Sequence, residues 1–216
     1  MAKKKIKQEE KETKIDKEIK KYLPLLAGLG ILILIFIVFY FAFSGLGKVK
    51  YEGLTFVKER YGEIEVYHYS YLTKLDNGNI RAIDVIVRGN PAENSVPIDS
   101  KIVYPEGKSV YLSINNSGLN KCEDSIIAIA ELSGFLANNE IPLKAGTPDR
   151  EEARKNNSTY ITCESYPNNL IISLREGSET KITRTGSRCY NMEVANCEIV
   201  PAMEKFIIRS IVDAKG

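Results

Sequence analysis

Residues 62–89 read GEIEVYHYSYLTKLDNGNIRAIDVIVRG. Two alternating runs flank Asp76-Asn77-Gly78-Asn79, and Asn-Gly between such runs is the strongest short-range signal for a β-hairpin. With Asn77-Gly78 as a two-residue turn, His68 opposes Val87, Ser70 opposes Val85 and Leu72 opposes Ile83. Val66 and Ile64 extend that side into an apolar core wall. Tyr67 then faces Arg88, Tyr69 faces Ile86 and Tyr71 faces Asp84, with Glu63 and Glu65 continuing that side. This register expects His68, the chain's single histidine, to be packed in the core. It assigns Tyr67, Tyr69, Tyr71 and Arg88 to a half-exposed candidate contact face, because tyrosine rings suit protein or sugar surfaces. A three-residue loop would exchange the two faces.

Downstream, GNPAENSVPID is a loop by its prolines and turn residues. KIVYPEGKSVYLSI predicts two short strands around Pro105-Glu106-Gly107. SINNSGLNKCEDSIIAIAELSGFLANN contains a helix of about four turns, with Ile126, Ile129, Ala130, Leu132, Phe135 and Leu136 largely on one face. Glu123 and Asp124 fall in its first turn, where the helix dipole favours carboxylates. IPLKAGTPDREEARKNNSTYITC reads as strand, short helix, strand, with Thr147 as N-cap and Pro148 at N1. LKAGT ahead of that helix start is a candidate anion site, but it lacks a phosphate-loop pattern, so capping is its expected role. LIISLREGSETKITRTGSRCYNMEV alternates like a hairpin around Glu176-Gly177-Ser178. EIVPAMEKFIIRSIVDA closes the chain as an amphipathic helix, with Ala202, Phe206, Ile207 and Val212 among its apolar positions. The order gives an α/β or α+β domain, in which a β-rich part (48–110) packs on a mixed βαβαβ sheet with helices (111–216).

Upstream of the hairpin the composition changes. Leu23 to Phe43, LPLLAGLGILILIFIVFYFAF, carries no charge and as a helix spans roughly 31 Å, about the thickness of a bilayer's hydrocarbon core. Residues 1–22 form a Lys/Glu-rich tail. Residues 1–47 hold nine lysines against five acids, and the remainder holds 21 basic and 23 acidic residues. The lysines ahead of the helix place the N-terminus in the cytoplasm and the domain outside. A cleaved signal peptide is the alternative, with Ser44-Gly45-Leu46-Gly47 near the cut. The globular part has no Lys/Arg stripe, so nucleic acid is not expected as a partner.

Cys122, Cys163, Cys189 and Cys197 are an even set, which outside the cytoplasm reads as disulfides. Four cysteines allow three connectivities. Strand ends and the helix starts that follow them share one edge of a parallel sheet, which favours Cys122–Cys163 and leaves Cys189–Cys197 as a local bridge. Cys122 near a helix start is the candidate thiol nucleophile if it is free. Asn115, Asn156 and Asn157 begin glycosylation sequons. No CxxC, GxxxxGK[S/T] or GxGxxG occurs, so neither a metal nor a cofactor is expected.

The layout, and in particular YEGLTFVKERYGEIEVYHYSY and KAGTPDREEARKNNSTYITCES, resembles uncharacterised single-pass membrane proteins of small-genome archaea. The resemblance covers roughly a fifth of the chain, implies source and location, and brings no functional residues. The sequence is therefore expected to be a non-enzymatic, membrane-anchored extracytoplasmic interaction or structural module of the cell envelope. It would meet lipid through residues 23–43 and a protein or envelope partner through its outer domain. A cell-surface enzyme and a glycan or small-molecule sensor are the alternatives.

Overall fold

The computed structural model describes residues 22–25, 27–39, 47–75 and 77–215. The tail before Tyr22 and the aromatic end of the apolar run, residues 40–43, lie outside the described residues. The chain divides into two compact units, residues 1–47 and 48–216. In the first, helix α1 (Tyr22–Phe39) has a mean hydropathy of 2.7, and it is long and apolar enough to cross a membrane. A membrane anchor and a signal sequence both meet that description.

The second unit is mixed α+β with two sheets. Strands β1 (Lys48–Tyr51), β2 (Leu54–Tyr61), β3 (Ile64–Lys74) and β4 (Ile80–Val87) form an antiparallel meander in sequence order. The sequence pattern predicts neither of the strands before residue 62, and their turns explain why. Glu52 and Gly53 both take positive φ (45° and 79°) between Tyr51 and Leu54, a two-residue turn with Glu where Asn or Asp is usual. Gly62, at φ 63°, opens the next two-residue turn.

The β3–β4 register corrects the expectation. Five residues, 75–79, separate the paired Lys74 and Ile80. The loop is closed by Leu75 N–H donating to Asn79 O and Gly78 N–H donating to Leu75 O, both at 2.8 Å. Tyr67 therefore pairs with Val87, Tyr69 with Val85 and Tyr71 with Ile83. Three tyrosines thus join three aliphatic residues on one face, whereas the two-residue turn would have mixed both faces. That coherent face is the buried one. Tyr67 and Tyr69 are core residues, and His68 is displaced to the opposite side.

The larger sheet has the order β7-β6-β5-β8-β10-β9, built from β5 (Val110–Ile114), β6 (Leu143–Thr147), β7 (Thr159–Tyr160), β8 (Leu170–Glu176), β9 (Lys181–Thr185) and β10 (Cys189–Val194). All pairings are parallel except β9–β10. The expected β8–β9 hairpin does not form, because β10 lies between them and pairs with both. The first of the two strands expected around Pro105 is irregular. Its backbone binds side chains instead: Ile102 N–H donates to Asp213 (2.8 Å) and Val103 N–H to the Tyr190 hydroxyl (3.1 Å).

Helices α2 (Ser125–Asn138) and α4 (Ile199–Lys215) pack on each other and share one core with both sheets. The parts 48–110 and 111–216 belong to a single compact unit. In α2 the buried residues are Ala128, Leu132, Phe135 and Leu136, while Ile126 is exposed. The acids expected in its first turn precede it, with Asp124 at the N-cap. The short helix α3 (Arg150–Lys155) starts two residues later than expected. Its cap is Asp149, whose carboxylate accepts from the N–H groups of Glu151 and Glu152. Gly146 on β6 has no room for a side chain, since a Cβ would lie 2.1 Å from Thr159 O.

The cysteines pair at disulfide distance as Cys122–Cys197 (Cα–Cα 5.3 Å) and Cys163–Cys189 (5.6 Å), which corrects both expected bridges. Cys189 opens the six-residue strand β10 and Cys197 follows its end. Such a strand extends roughly 20 Å, several times the reach of a disulfide. β7 has only two residues, and the chain after it crosses the sheet's second face, where Cys163 meets Cys189 beside Tyr111, Ile161 and Ile171. Cys122–Cys197 ties the segment before α2 to the segment before α4, so it fixes the starts of both central helices. Peptide mapping without reduction is expected to yield these two pairs. Replacing Cys122 and Cys197 together by alanine should cost about 2–4 kcal/mol in urea unfolding. A Cys189–Cys197 peptide would contradict the topology.

Candidate functional site

The face of the meander turned away from the helices is its distinctive surface. Along β2, β3 and β4 it presents Val57, Tyr61, Ile64, Leu72, Ile80 and Ile86, all exposed, with Leu72 and Ile80 each at 72%. Single exposed apolar residues are ordinary, but six on one sheet face, beside His68 and toward both ends of β3, make that face a candidate for contact. Cross-strand pairing orders it further. Lys48, Val57, His68 and Ile86 form one row across the four strands. Beside that row, Lys50 pairs with Thr55 at one edge and Asp84 pairs with Ser70 at the other. The face thus carries a cation on β1 and an anion on β4.

At the centre of the patch His68 lies between two carboxylates. Its Nδ1 is 3.0 Å from Glu59 Oε1 and its Nε2 is 3.1 Å from Asp84 Oδ1. Ser70 Oγ donates to the same Asp84 oxygen at 2.6 Å, and Tyr61 OH donates to Glu59 Oε2 at 2.8 Å. Two carboxylate neighbours require two N–H donors, which is the imidazolium form. Accordingly the hydrogen bond to Glu59 raises the His68 pKa above the ordinary 6.5, against an opposing effect of burial and with help from Asp84. Glu59 is lowered by His68 first, and Asp84 by the Ser70 hydroxyl first and then His68. An imidazolium held at both nitrogens has no lone pair for a substrate proton, so the arrangement does not serve a general base.

Arg88, expected on the contact face with the tyrosines, instead reaches helix α2, with Nε 3.7 Å from Glu131 Oε1. Of the three tyrosines only Tyr71 is partly exposed. Its hydroxyl donates to Asn139 Oδ1 at 2.8 Å, at the end of α2. Tyr69 stacks on Tyr71, meets Phe56 at a tilt, and its hydroxyl accepts from Lys215. The side expected to be half-exposed is therefore the buried one, and the side carrying His68 is the more exposed. The signal in the sequence was the polar trio His68, Ser70 and Asp84, which sits poorly in a core.

Other chemistry-bearing groups are accounted for by the fold. Glu204 on α4 is 1% exposed and accepts from the backbone N–H groups of Arg88 and Gly89. Burial pushes its pKa up to about 7. A raised carboxyl of this kind contributes stability below about pH 4.5 that is lost as pH rises through about 7. At the ends of the parallel strands β5 and β8, where an α/β sheet would seat a nucleotide, Glu176 lies against Gly118. A Cβ on Gly118 would lie 1.7 Å from its carboxylate, which pairs with Lys121 at 2.5 Å. The N-terminus of α3, the candidate anion site after LKAGT, is occupied by Asp149. Cys122 is paired and so is no free thiol. Among the described residues no group of three or more His, Cys, Asp or Glu is placed to hold a metal. Asn115 follows β5 with its side chain accepting from Ser117 N–H, and Asn156 and Asn157 are exposed after α3.

No protein-family model, curated protein or solved structure matches this chain. Its function is thus read from its own surfaces. In a pH titration followed by NMR, His68 is expected to titrate above 6.5. Glu59→Gln should bring it down toward that value, and an unchanged midpoint would dissolve the cluster.

Proposed function

We propose that this chain is a non-catalytic, membrane-anchored interaction module whose globular unit lies outside the cytoplasm. It pairs with a second copy through the outer face of the four-stranded sheet. The observation that carries this reading is the exposed apolar patch around His68. The apolar helix supports the anchor, and the two cysteine pairs at disulfide distance support an oxidising compartment. The nine lysines before Tyr22 support an inside N-terminus.

A second copy fits the face because the face complements itself. A two-fold axis along the strands stacks β1 of one copy over β4 of the other, which sets Lys50 opposite the other copy's Asp84 twice. The same axis leaves both Lys48 ends on one side, as two chains anchored in one membrane require. Four strands of four, eight, eleven and eight residues give a face on the order of 500 Å² in plan. That is commensurate with the roughly 800 Å² of accessible surface per partner in specific interfaces.

The full chain in detergent is expected to sediment as a dimer. Zero-length carbodiimide coupling of mixed isotopically light and heavy chains should then link Lys50 of one copy to Asp84 of the other. Ile86→Glu adds an unpaired charge at an exposed position, so it should give monomers without loss of fold. A wild-type monomer at tens of micromolar, or dimers that survive Ile86→Glu, would refute the pairing.

A further inference from the structure

Where β3, the end of α2 and the last turns of α4 meet, the globular unit holds a cavity of 310 Å³. That lies at the lower limit of small-molecule sites, enough for one ring and a short side chain. Phe135, Ile141, Ile211 and Ala214 give it apolar walls. Its polar side chains are two phenols, Tyr71 and Tyr104, the Thr73 hydroxyl and one ammonium, Lys215, with Asn139 and Ser210 behind the phenols.

Hydrogen counting defines what these groups can still do. Ser210 Oγ spends its hydrogen on Phe206 O at 2.8 Å, so the 2.9 Å contact between Tyr104 OH and Ser210 Oγ has the phenol as donor. Tyr71 OH donates to Asn139 Oδ1, whose own amide nitrogen donates to Phe135 O. Both phenols have therefore committed their hydrogens and keep only acceptor capacity. Lys215 has three N–H groups and donates to the Tyr69 hydroxyl, while its ammonium lies 5.0 Å from the ring centre. It has hydrogens left to donate, and among the described residues it is the one charged side chain lining the cavity. Half-buried phenol oxygens with acceptor capacity to spare and a cation at the rim favour a guest that brings a donor and a negative charge over a purely apolar one.

We propose that this cavity binds a small aromatic hydroxy-carboxylate. The carboxylate sits on the Lys215 ammonium, the ring lies among Phe135, Ile141 and Ile211, and the hydroxyl donates to the oxygen of Tyr71 or Tyr104. This goes beyond pairing through the outer face and does not depend on it.

The test uses the full chain in lipid nanodiscs and titration calorimetry, with empty nanodiscs as the blank for partitioning into lipid. Three probes separate the contributions: 3-(4-hydroxyphenyl)propanoate, 3-phenylpropanoate without the hydroxyl, and 3-(4-hydroxyphenyl)propanamide without the charge. The hydroxy acid is expected to bind about tenfold more tightly than either of the others, the discrimination expected of one buried polar contact. Lys215→Met should erase the preference over the amide while leaving amide binding as it was. Ala214→Leu, at an exposed lining position, should weaken all three, and Ile86→Glu should weaken none. The proposal is overturned if the acid and the amide bind the wild type equally, if Ala214→Leu binds like the wild type, or if no heat beyond the blank appears at millimolar probe.

Discussion

Helix α4 has no solvent face through its middle: every residue from Ala202 to Ile208 is buried. That is two turns, all the way round. A helix in this position must satisfy each of its polar groups within the protein, because an unpaired buried polar group or charge costs several times what a paired one contributes. The rest of the architecture follows from how those partners are supplied. Glu204 takes the backbone N–H groups at the end of β4, and Lys205 donates to the Tyr51 hydroxyl and to Asn94 O. Ser210 takes Tyr104, and Asp213 takes both Arg209 and the backbone of Ile102. Apart from Arg209 on the helix itself, each partner lies in the meander or in the segment that leads from it to β5. The same contacts that relieve α4 therefore fix the first sheet on the helices.

The sheet opposite is held by apolar contact and by one phenol. Tyr190 on β10 is fully buried, meets Phe206 edge-on with centroids 5.7 Å apart, donates to Lys101 O and accepts from Val103 N–H. One residue thus joins the second sheet, α4 and the connecting segment. The disulfide-distance pair Cys122–Cys197 acts on the same centre by covalently setting where α2 and α4 begin.

Much of this was legible in the sequence. The α/β order of residues 110–215, the amphipathic runs of α2 and α4, and the apolar helix near the N-terminus were read from period and composition alone. Two kinds of feature were not. Pairing partners that depend on a loop's residue count were misassigned. Five residues rather than two in the β3–β4 loop exchanged the faces of the meander, and the insertion of β10 beside β8 removed an apparent hairpin. Disulfide partners were misassigned for a related reason, since they report on how far each strand runs before the chain turns back. Nor does the sequence of α4 show that Glu204 and Lys205 are buried. The hairpin was legible, but which of its two sides is buried was not.

The central claim is that the tyrosine face of β3 is packed against the helices and the histidine face is not. Urea unfolding of Tyr69→Ala beside His68→Ala addresses it directly, because the two positions are adjacent in sequence and opposite in space. Removing the buried ring should cost about 3–5 kcal/mol, as for other large core aromatics. Removing the partly exposed imidazole should cost less than about 1 kcal/mol, as for other surface charge pairs. A larger loss at His68 than at Tyr69 would mean that the hairpin faces the other way, and with it the proposed contact surface.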